Sequence, residues 1–533
     1  MDLRRRRGPR RFPIAASRPA YDLPVTEAEP EYPTLDPDDL ETTLRVLAGL
    51  HELAPDDPDI QTVKRATGVM ASRIRKARRR EARQAALAPG RERDKAVLES
   101  TATGSPLRID DETRGIPLVA QADSPYAGEL ETPRGCYICH EKYTLVDAFY
   151  HWLCPRCATF SHGKRDQHTD LSGRRALLTG GRAKIGMYIA LMLLRDGADL
   201  TITTRFPRDA ARRFAELSDS AEWLDRLTIV GIDLRDATQV VALADEVAAG
   251  GPLDILINNA CQTVRRTPGA YAHLVAGEGE PLPSGMPLPR LIAFDRISEA
   301  HPASLVGVLA EHAHTHPDGE GADGGGADGG GAVSAASLTS VALQAGSASL
   351  DRHVAGTAID AGGLLPDDVL VNSWTQKVED VDPLELLEVQ LCNSVAPFLL
   401  VSRLRPSMRA AVERGARRAY VVNVSAMEGQ FSRRYKGPGH PHTNMAKAAL
   451  NMLTRTSAKE MFETDKILMT AVDTGWITDE RPHREKLRIA AEGWHAPLDL
   501  VDGAARVYDP IVRGEAGEDL FGVFLKDFAP HPW

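Results

Sequence analysis

Two groups of residues in this chain could do chemistry. The first is a cysteine cluster: Cys136-Tyr-Ile-Cys139, then about fourteen residues, then Cys154-Pro-Arg-Cys157. Each Cys-x-x-Cys pair sets two thiolates on one turn. Two such pairs close a tetrahedral shell of soft ligands, which is the geometry zinc favours. The spacing is close to the four-cysteine zinc pattern. A closed shell has no open position for substrate, so the expected role is structural. The small unit around it is rich in aromatics (Tyr137, Tyr143, Phe149, Tyr150, Trp152) and is expected to need the metal to fold. A redox role for one pair is the alternative, and His140, His151 and His162 are spare ligands. Such a module could pack on its neighbour or recruit a protein partner.

The second group is spread over the remainder of the chain. Arg174-Arg-Ala-Leu-Leu-Thr reads as a buried strand that runs into Thr179-Gly-Gly-Arg-Ala-Lys-Ile-Gly186. A helix (Met187-Tyr-Ile-Ala-Leu-Met-Leu-Leu) and a second strand ending in Thr203-Thr-Arg205 follow. Strand, glycine loop, helix and strand in that order make a βαβ unit, whose helix N-terminus offers amides and a positive dipole end to phosphate. Leu227–Leu234 and Leu253–Ala260 read as third and fourth strands, and Tyr420–Ser425 as a fifth.

In this order the segments resemble the short-chain dehydrogenase/reductase family. The loop is similar to T-G-x-x-x-G-x-G, with Lys184 in place of the middle glycine, and Asn258-Asn-Ala-Cys261 is similar to N-N-A-G. Thr443-Asn-Met-Ala-Lys447 aligns with the Y-x-x-x-K helix, and Asn393 with the asparagine of the catalytic tetrad. Thr474-Gly-Trp-Ile-Thr478 resembles P-G-x-x-x-T, one residue shorter and without the proline. The resemblance implies an α/β fold, a doubly wound parallel-sheet Rossmann domain over about 171–533 with a large insertion at about 262–383. It implies a nucleotide site built from Gly180, Arg182, Lys184, Ile185, Gly186, Arg205, Asp233, Leu234, Asn259, Lys447 and Ile477. Asp233 and Leu234 would meet adenine, Asn259 would lie beside the cofactor, and the loop carrying Ile477 would cover the nicotinamide. A carboxylate at the end of the second strand would bind the ribose of NAD. Arg205 stands there instead and can hold a phosphate bidentately, so the expected cofactor is NADP.

The catalytic positions depart from the family. Thr443 replaces the tyrosine acid, and a threonine hydroxyl is a poor proton donor at neutral pH. Ser425 lies one residue ahead of the usual serine position, Ala426, and strand alternation would turn it away. Tyr435, His440 and His442 are nearby alternatives. Two readings follow. One is an NADP(H)-dependent oxidoreductase acting by hydride transfer on a small carbonyl or enoyl substrate, with Asn393, Ser425, Tyr435, Thr443 and Lys447 as catalytic candidates. The other is an inactive NADP-binding scaffold or regulatory protein. Arg265, Arg266 and the Trp374 region border the implied substrate side, where arginines could bind an anion or serve surface ion pairs.

Other elements must carry these groups. The 533 residues exceed one core and predict several units. A basic, Pro-rich tail is expected disordered over 1–35. A helical region follows over 36–88, with a helix capped by Asp36 and a second one burying Ile60, Val63, Thr67, Met70 and Ile74. A linker is expected over 89–134 and the zinc module over 135–167. The basic run at Arg73–Arg83 reads as a solvated helix end, or as a contact for an acidic partner. The net charge of −10 makes nucleic acid an unlikely partner for the whole surface. No apolar run behind the basic start suits a secretory signal, and no stretch approaches membrane-spanning length, so a cytoplasmic location is expected. Histidines 312, 314 and 316 and the Gly-rich repeat after Gly319 read as a solvated loop. The resemblance makes a homodimer or homotetramer plausible.

Overall fold

The computed structural model describes residues 35–106, 108, 124–285, 287–294, 298, 300–302, 360, 362–367, 369–433 and 435–533. The N-terminal tail, the histidine tract and the Gly-rich repeat lie outside them. A first compact unit ends at Leu87 and a second begins at Ala88.

In the first unit, helix α1 (Pro37–Gly49) starts as expected. The Asp36 carboxylate accepts from the Asp38 amide at 2.8 Å, and Pro37 occupies the first turn, where no amide is needed. Helix α2 (Pro58–Glu99) then runs for 42 residues. Its expected buried stripe is not buried: Met70 is 54% and Ile74 45% exposed. Helical spacing marks an apolar face but not what lies against it. The segment expected as a linker from 89 also differs. The helix continues through Pro89, where long-chain, helix-favouring residues flank the single lost amide. Its end is tied down by Asp94, which accepts from the amides of Glu131 (2.6 Å) and Thr132 (3.1 Å).

Glu131 and Thr132 belong to strand β1 (Tyr126–Gly135), which pairs antiparallel with β2 (Lys142–Asp147). The first cysteine pair forms the turn of this hairpin. The second pair opens helix α3 (Pro155–Arg165), with Cys154 as its cap residue.

The second unit continues into a nine-stranded sheet. In chain order its strands are β3 (Arg175–Leu178), β4 (Asp199–Thr204), β5 (Leu227–Gly231), β6 (Ile255–Asn258), β7 (Arg290–Ala293), β8 (Ala419–Ser425), β9 (Ile467–Asp473), β10 (Phe524–Lys526) and β11 (Ala529–His531). They lie in the order β11-β10-β9-β8-β6-β3-β4-β5-β7, parallel except for β11. Strands buried on both faces need near-continuous apolar runs, and Ala176–Leu178 and Ile255–Ile257 supply them. Helices α4 (Lys184–Arg195), α5 (Pro207–Ala215) and, near the C-terminus, Leu500–Glu515 share one apolar core. Helix α6 (Ala237–Ala249) and the helices at Ala396–Glu413 and Pro441–Asp465 share the other. The insertion is more than a loop. It supplies helix α7 (Ala272–Gly279) beside α5, and β7, which extends the sheet next to β5.

Helix α8 (Pro383–Gln390), the π-helical turn Leu391–Val395 and helix α9 (Ala396–Glu413) form one run. By length and composition it is apolar enough to cross a membrane, contrary to the sequence expectation. Its apolar face has another use: Leu400, Val401, Leu404 and Met408 are buried in the core shared with α6.

The remaining helices are α10 (Pro441–Asp465), α11 (His483–Ala491) and α12 (Leu500–Glu515). The cysteine module is built onto α12. Arg165 pairs with Asp499 (2.5 Å) and Asp502 (3.2 Å), Lys164 pairs with Asp509, and the Tyr150 hydroxyl donates to Asp502 at 2.5 Å. Leu153, Tyr150 and Ala158 join the same apolar cluster as Leu178, Ile189 and Val507. A Leu153→Ala variant should therefore lose roughly 2–5 kcal/mol. Thermal unfolding should show the module and the sheet melting together at a lower temperature. A separate low-temperature transition would show that the module is an independent domain.

Candidate nucleotide cleft and cysteine site

The glycine loop is fixed by close backbone approach. Gly180 sits at φ 72°, and a Cβ there would lie 2.9 Å from the Cα of Ala260. A Cβ at Gly186 would collide with the Gly180 carbonyl and lie 2.8 Å from the Asn259 amide nitrogen. Asn259 closes the contact by donating to the carbonyls of Thr179 and Gly180, both at 3.1 Å. Lys184, where the resemblance led to an expected glycine, adopts φ 53°, a left-handed conformation that a side chain pays for with about 1 kcal/mol.

A cleft of about 390 Å³ opens at the carboxyl ends of β3, β4, β5 and β6. Gly180, Arg182, Lys184, Ile185, Gly186, Arg205, Asp233, Leu234, Asn259 and Ile477 all line it. Lys447 is not among the lining residues. Arg205 is exposed, donates to the Tyr271 hydroxyl at 3.2 Å and lies 4.9 Å above that ring. Burial alone would raise the Asp233 carboxyl, but Arg235, His301 and Arg205 hold it well below the usual carboxylate range. The carboxylate is thus committed to cations, with Arg235 at 2.6 Å.

The insertion contributes residues that no motif announced. Tyr271 shelves Arg205, while the Gly362 carbonyl accepts from Arg182 at 2.6 Å and Asp360 pairs with Lys184 at 3.3 Å. Asp209 holds Arg182 at 2.5 Å. Glu480, also lining the cleft, is partly buried, and the loss of solvent opposes its charge. Lys184, Lys486 and Arg266 overcome this and hold its carboxyl down to about 2. Arg266 therefore serves an internal charge cluster, and Arg265 reaches Glu388 at 3.4 Å. Sequence spacing gives no sign of contacts made across more than a hundred residues.

None of the five catalytic candidates is among the residues that line the cleft. Asn393 sits in the π-helical turn and clamps Gln262, accepting from its amide at 2.7 Å and donating to its carbonyl at 3.0 Å. The Lys447 ammonium is buried and donates to the Val424 carbonyl at 2.8 Å. Ser425 turns to α10, as the alternation requires, and donates to Asn451 at 2.5 Å. The Thr443 hydroxyl is buried without a hydrogen-bond partner. Tyr435 is 75% exposed. His440 stacks on Trp374 with ring centroids 3.9 Å apart, and burial pushes its imidazole below the usual histidine range. His442 is buried 3.4 Å from Glu385.

The four cysteine sulfurs lie within 4.8 Å of one another, with Cys139 Sγ and Cys154 Sγ 3.7 Å apart. A tetrahedron with metal–sulfur bonds of about 2.3 Å has edges of about 3.8 Å, so the donor set fits zinc. The arrangement joins both pairs in one cluster, which disfavours a separate redox pair.

Comparison with known proteins finds a family match within the second unit. The family model described as short chain dehydrogenase matches residues 174–272. Over these residues the chain is similar to short-chain dehydrogenases. An uncharacterized protein of Acanthamoeba polyphaga mimivirus is 28% identical over 390 residues, 71% of each chain. A "Probable oxidoreductase" of Streptomyces antibioticus is 41% identical over 91 residues, which span 17% of this chain and 30% of that protein. Among solved structures, the carbonyl reductase Sniffer of D. melanogaster covers 68% of this chain and all of its own (100%), at 16% identity and TM-score 0.39. The NADPH-bound carbonyl reductase from chicken fatty liver has the same coverage, 68% and 100%, at 17% identity and TM-score 0.38.

Two expectations follow. A Cys154→Ser variant should lose the metal, about one zinc per chain in the parent by elemental analysis. Retention of a full equivalent would contradict the four-thiolate site. The second concerns Asp473, a buried carboxyl at the end of β9 that sequence reading missed. Burial, with Asp527 and Glu428 nearby, pushes it up to about 6. The folded state holds this proton more tightly than the unfolded chain, so stability falls as pH rises from about 4 to about 6 and stays lowered above. Asp473→Asn should therefore add about 1–3 kcal/mol at pH 7.5 and little at pH 4, as measured by denaturant unfolding. An equal change at both pH values would refute this.

Proposed function

We propose that the chain is an NADP(H)-dependent oxidoreductase acting by hydride transfer on a small carbonyl or enoyl compound, with zinc as a structural ion in the cysteine module. The observation that supports this best is the convergence of ten sequence-selected residues on one cleft, with Arg205 at its mouth. The amides at the start of α4 would receive the pyrophosphate. Arg205, held over the Tyr271 ring, would bind the 2′-phosphate, while the committed Asp233 carboxylate is screened by Arg235. Ile477 and Thr478 would cover the nicotinamide, which when bound supplies or accepts the hydride. Asn393 would hold the Gln262 backbone at the inner wall of the cleft, and Lys447 would orient the ribose after releasing the Val424 carbonyl.

A second reading, an NADP-binding protein without turnover, is favoured by the acid positions. Thr443 is sealed from solvent, Ser425 is engaged by Asn451, and Lys447 is bound to backbone. The exposed Phe398, Met445 and Met452 on α9 and α10 suit the family's pairing of these helices, so a homodimer or tetramer belongs to either reading. A cytoplasmic location belongs to both as well.

Arg205→Asp should reverse the cofactor preference from NADPH to NADH, measured as a ratio of dissociation constants. An unchanged ratio would remove Arg205 from the phosphate site. NADPH oxidation against a panel of carbonyl and enoyl compounds separates the readings. The oxidoreductase predicts turnover that falls by about 10²-fold or more in Lys447→Ala. Binding of NADPH with no turnover on any compound would favour the second reading.

A further inference from the structure

The segment from Thr474 to Asp502, which adds Ile477, Thr478, Glu480 and Leu500 to the cleft lining, is held from outside by the cysteine module. Its first anchor is Tyr137, which lies between Cys136 and Cys139. The Tyr137 hydroxyl accepts the Trp476 amide at 3.0 Å, one residue before Ile477. The next anchors lie near the other end of the segment. Arg108 donates to the carbonyls of Ala496 (2.8 Å) and Leu498 (2.7 Å), and also to that of Thr103 (2.9 Å). The Thr103 hydroxyl in turn bonds the Phe149 carbonyl (2.9 Å) and the His151 ring (2.8 Å), both inside the module. Arg165 and Tyr150 complete the line at Asp499 and Asp502. Within the segment, the Leu498 amide donates to the Trp476 carbonyl at 3.3 Å, and the Trp476 and Trp494 rings lie 4.6 Å apart. Ile477 and Leu500 carry this bracing into the cleft lining.

We propose that the four-cysteine module is a brace for the cofactor-covering segment, and that Tyr137 is its positioning residue. Two flanking cysteines fix the knuckle, the knuckle fixes the phenol, and the phenol fixes the backbone one residue from Ile477. An unanchored loop must be ordered when a ligand binds, so a pre-set loop raises affinity. The brace bears on cofactor affinity only if the cleft is an NADP(H) site, as proposed above.

The test compares Tyr137→Phe with Tyr143→Phe in the full chain. Tyr143 is the control because its hydroxyl donates to the His151 carbonyl within the module. Three quantities are read: zinc per chain, amide hydrogen exchange at Trp476, and the NADPH dissociation constant. Loss of one hydrogen bond predicts about five-fold faster exchange at Trp476 and about five-fold weaker NADPH binding in Tyr137→Phe. Zinc content and exchange in the β1–β2 hairpin should stay at parent values, which general loss of structure would not allow. Tyr143→Phe should leave both Trp476 exchange and NADPH affinity unchanged. Parent-like exchange at Trp476 in Tyr137→Phe overturns the brace. So does an equal effect of the two variants. If the parent chain binds no NADPH, the cofactor reading fails, and exchange at Trp476 alone then decides the brace.

Discussion

The fold turns on a close backbone contact between two glycines. Gly180 and Gly186 bring the end of β3 and the start of α4 so close that neither position admits a Cβ, and Asn259 from the end of β6 seals the gap. That contact sets the direction of α4, whose first residues, Lys184, Ile185 and Gly186, line the cleft. It also fixes where β4 must deliver Arg205 and where the segment after β9 can fold back. Lys184 holds a left-handed conformation in this loop, and its ammonium is met by Asp360 of the insertion.

Around this loop the protein adds two layers of its own. The insertion widens the sheet with β7, shelves Arg205 on Tyr271 and covers Arg182 with the Gly362 carbonyl. On the opposite flank the cysteine module packs into the same apolar core as α4 and α12, with buried ion pairs at the start of α12. Removing one member of such a pair strands the other charge, so the seam is specific as well as strong. The nucleotide cleft is thus framed by residues far apart in sequence.

Much of the central architecture was legible because it is local. Apolar runs named β3 to β6 and β8, Asp36 named its helix, and the two Cys-x-x-Cys pairs named a single four-sulfur cluster. The misses are long-range. The stripe from Ile60 to Ile74 is nowhere fully buried, and Met70 and Ile74 are exposed, because periodicity does not state what covers a face. The helix runs on through Pro89 into the segment expected as a linker, because one proline removes only one amide. Residues 383–413 are long and apolar enough for a membrane, yet they bury Leu400 and Met408 in the core. At the site, Asp209, Asp360, Glu480 and Asp473 carry no spacing signal, and only folding brings them to the cleft or to the loop that covers it. Ser425 was readable in one respect: alternation placed it on the far side of the strand, where it meets Asn451.

The central claim is that the cleft at the carboxyl ends of β3 to β6 is a site for a phosphorylated dinucleotide. Calorimetric titration of the unmodified, metal-replete chain with NADPH and with NADH tests it most directly. The account predicts saturable binding of one NADPH per chain, with NADH at least ten-fold weaker. Binding of neither nucleotide, or tighter binding of NADH, would contradict it.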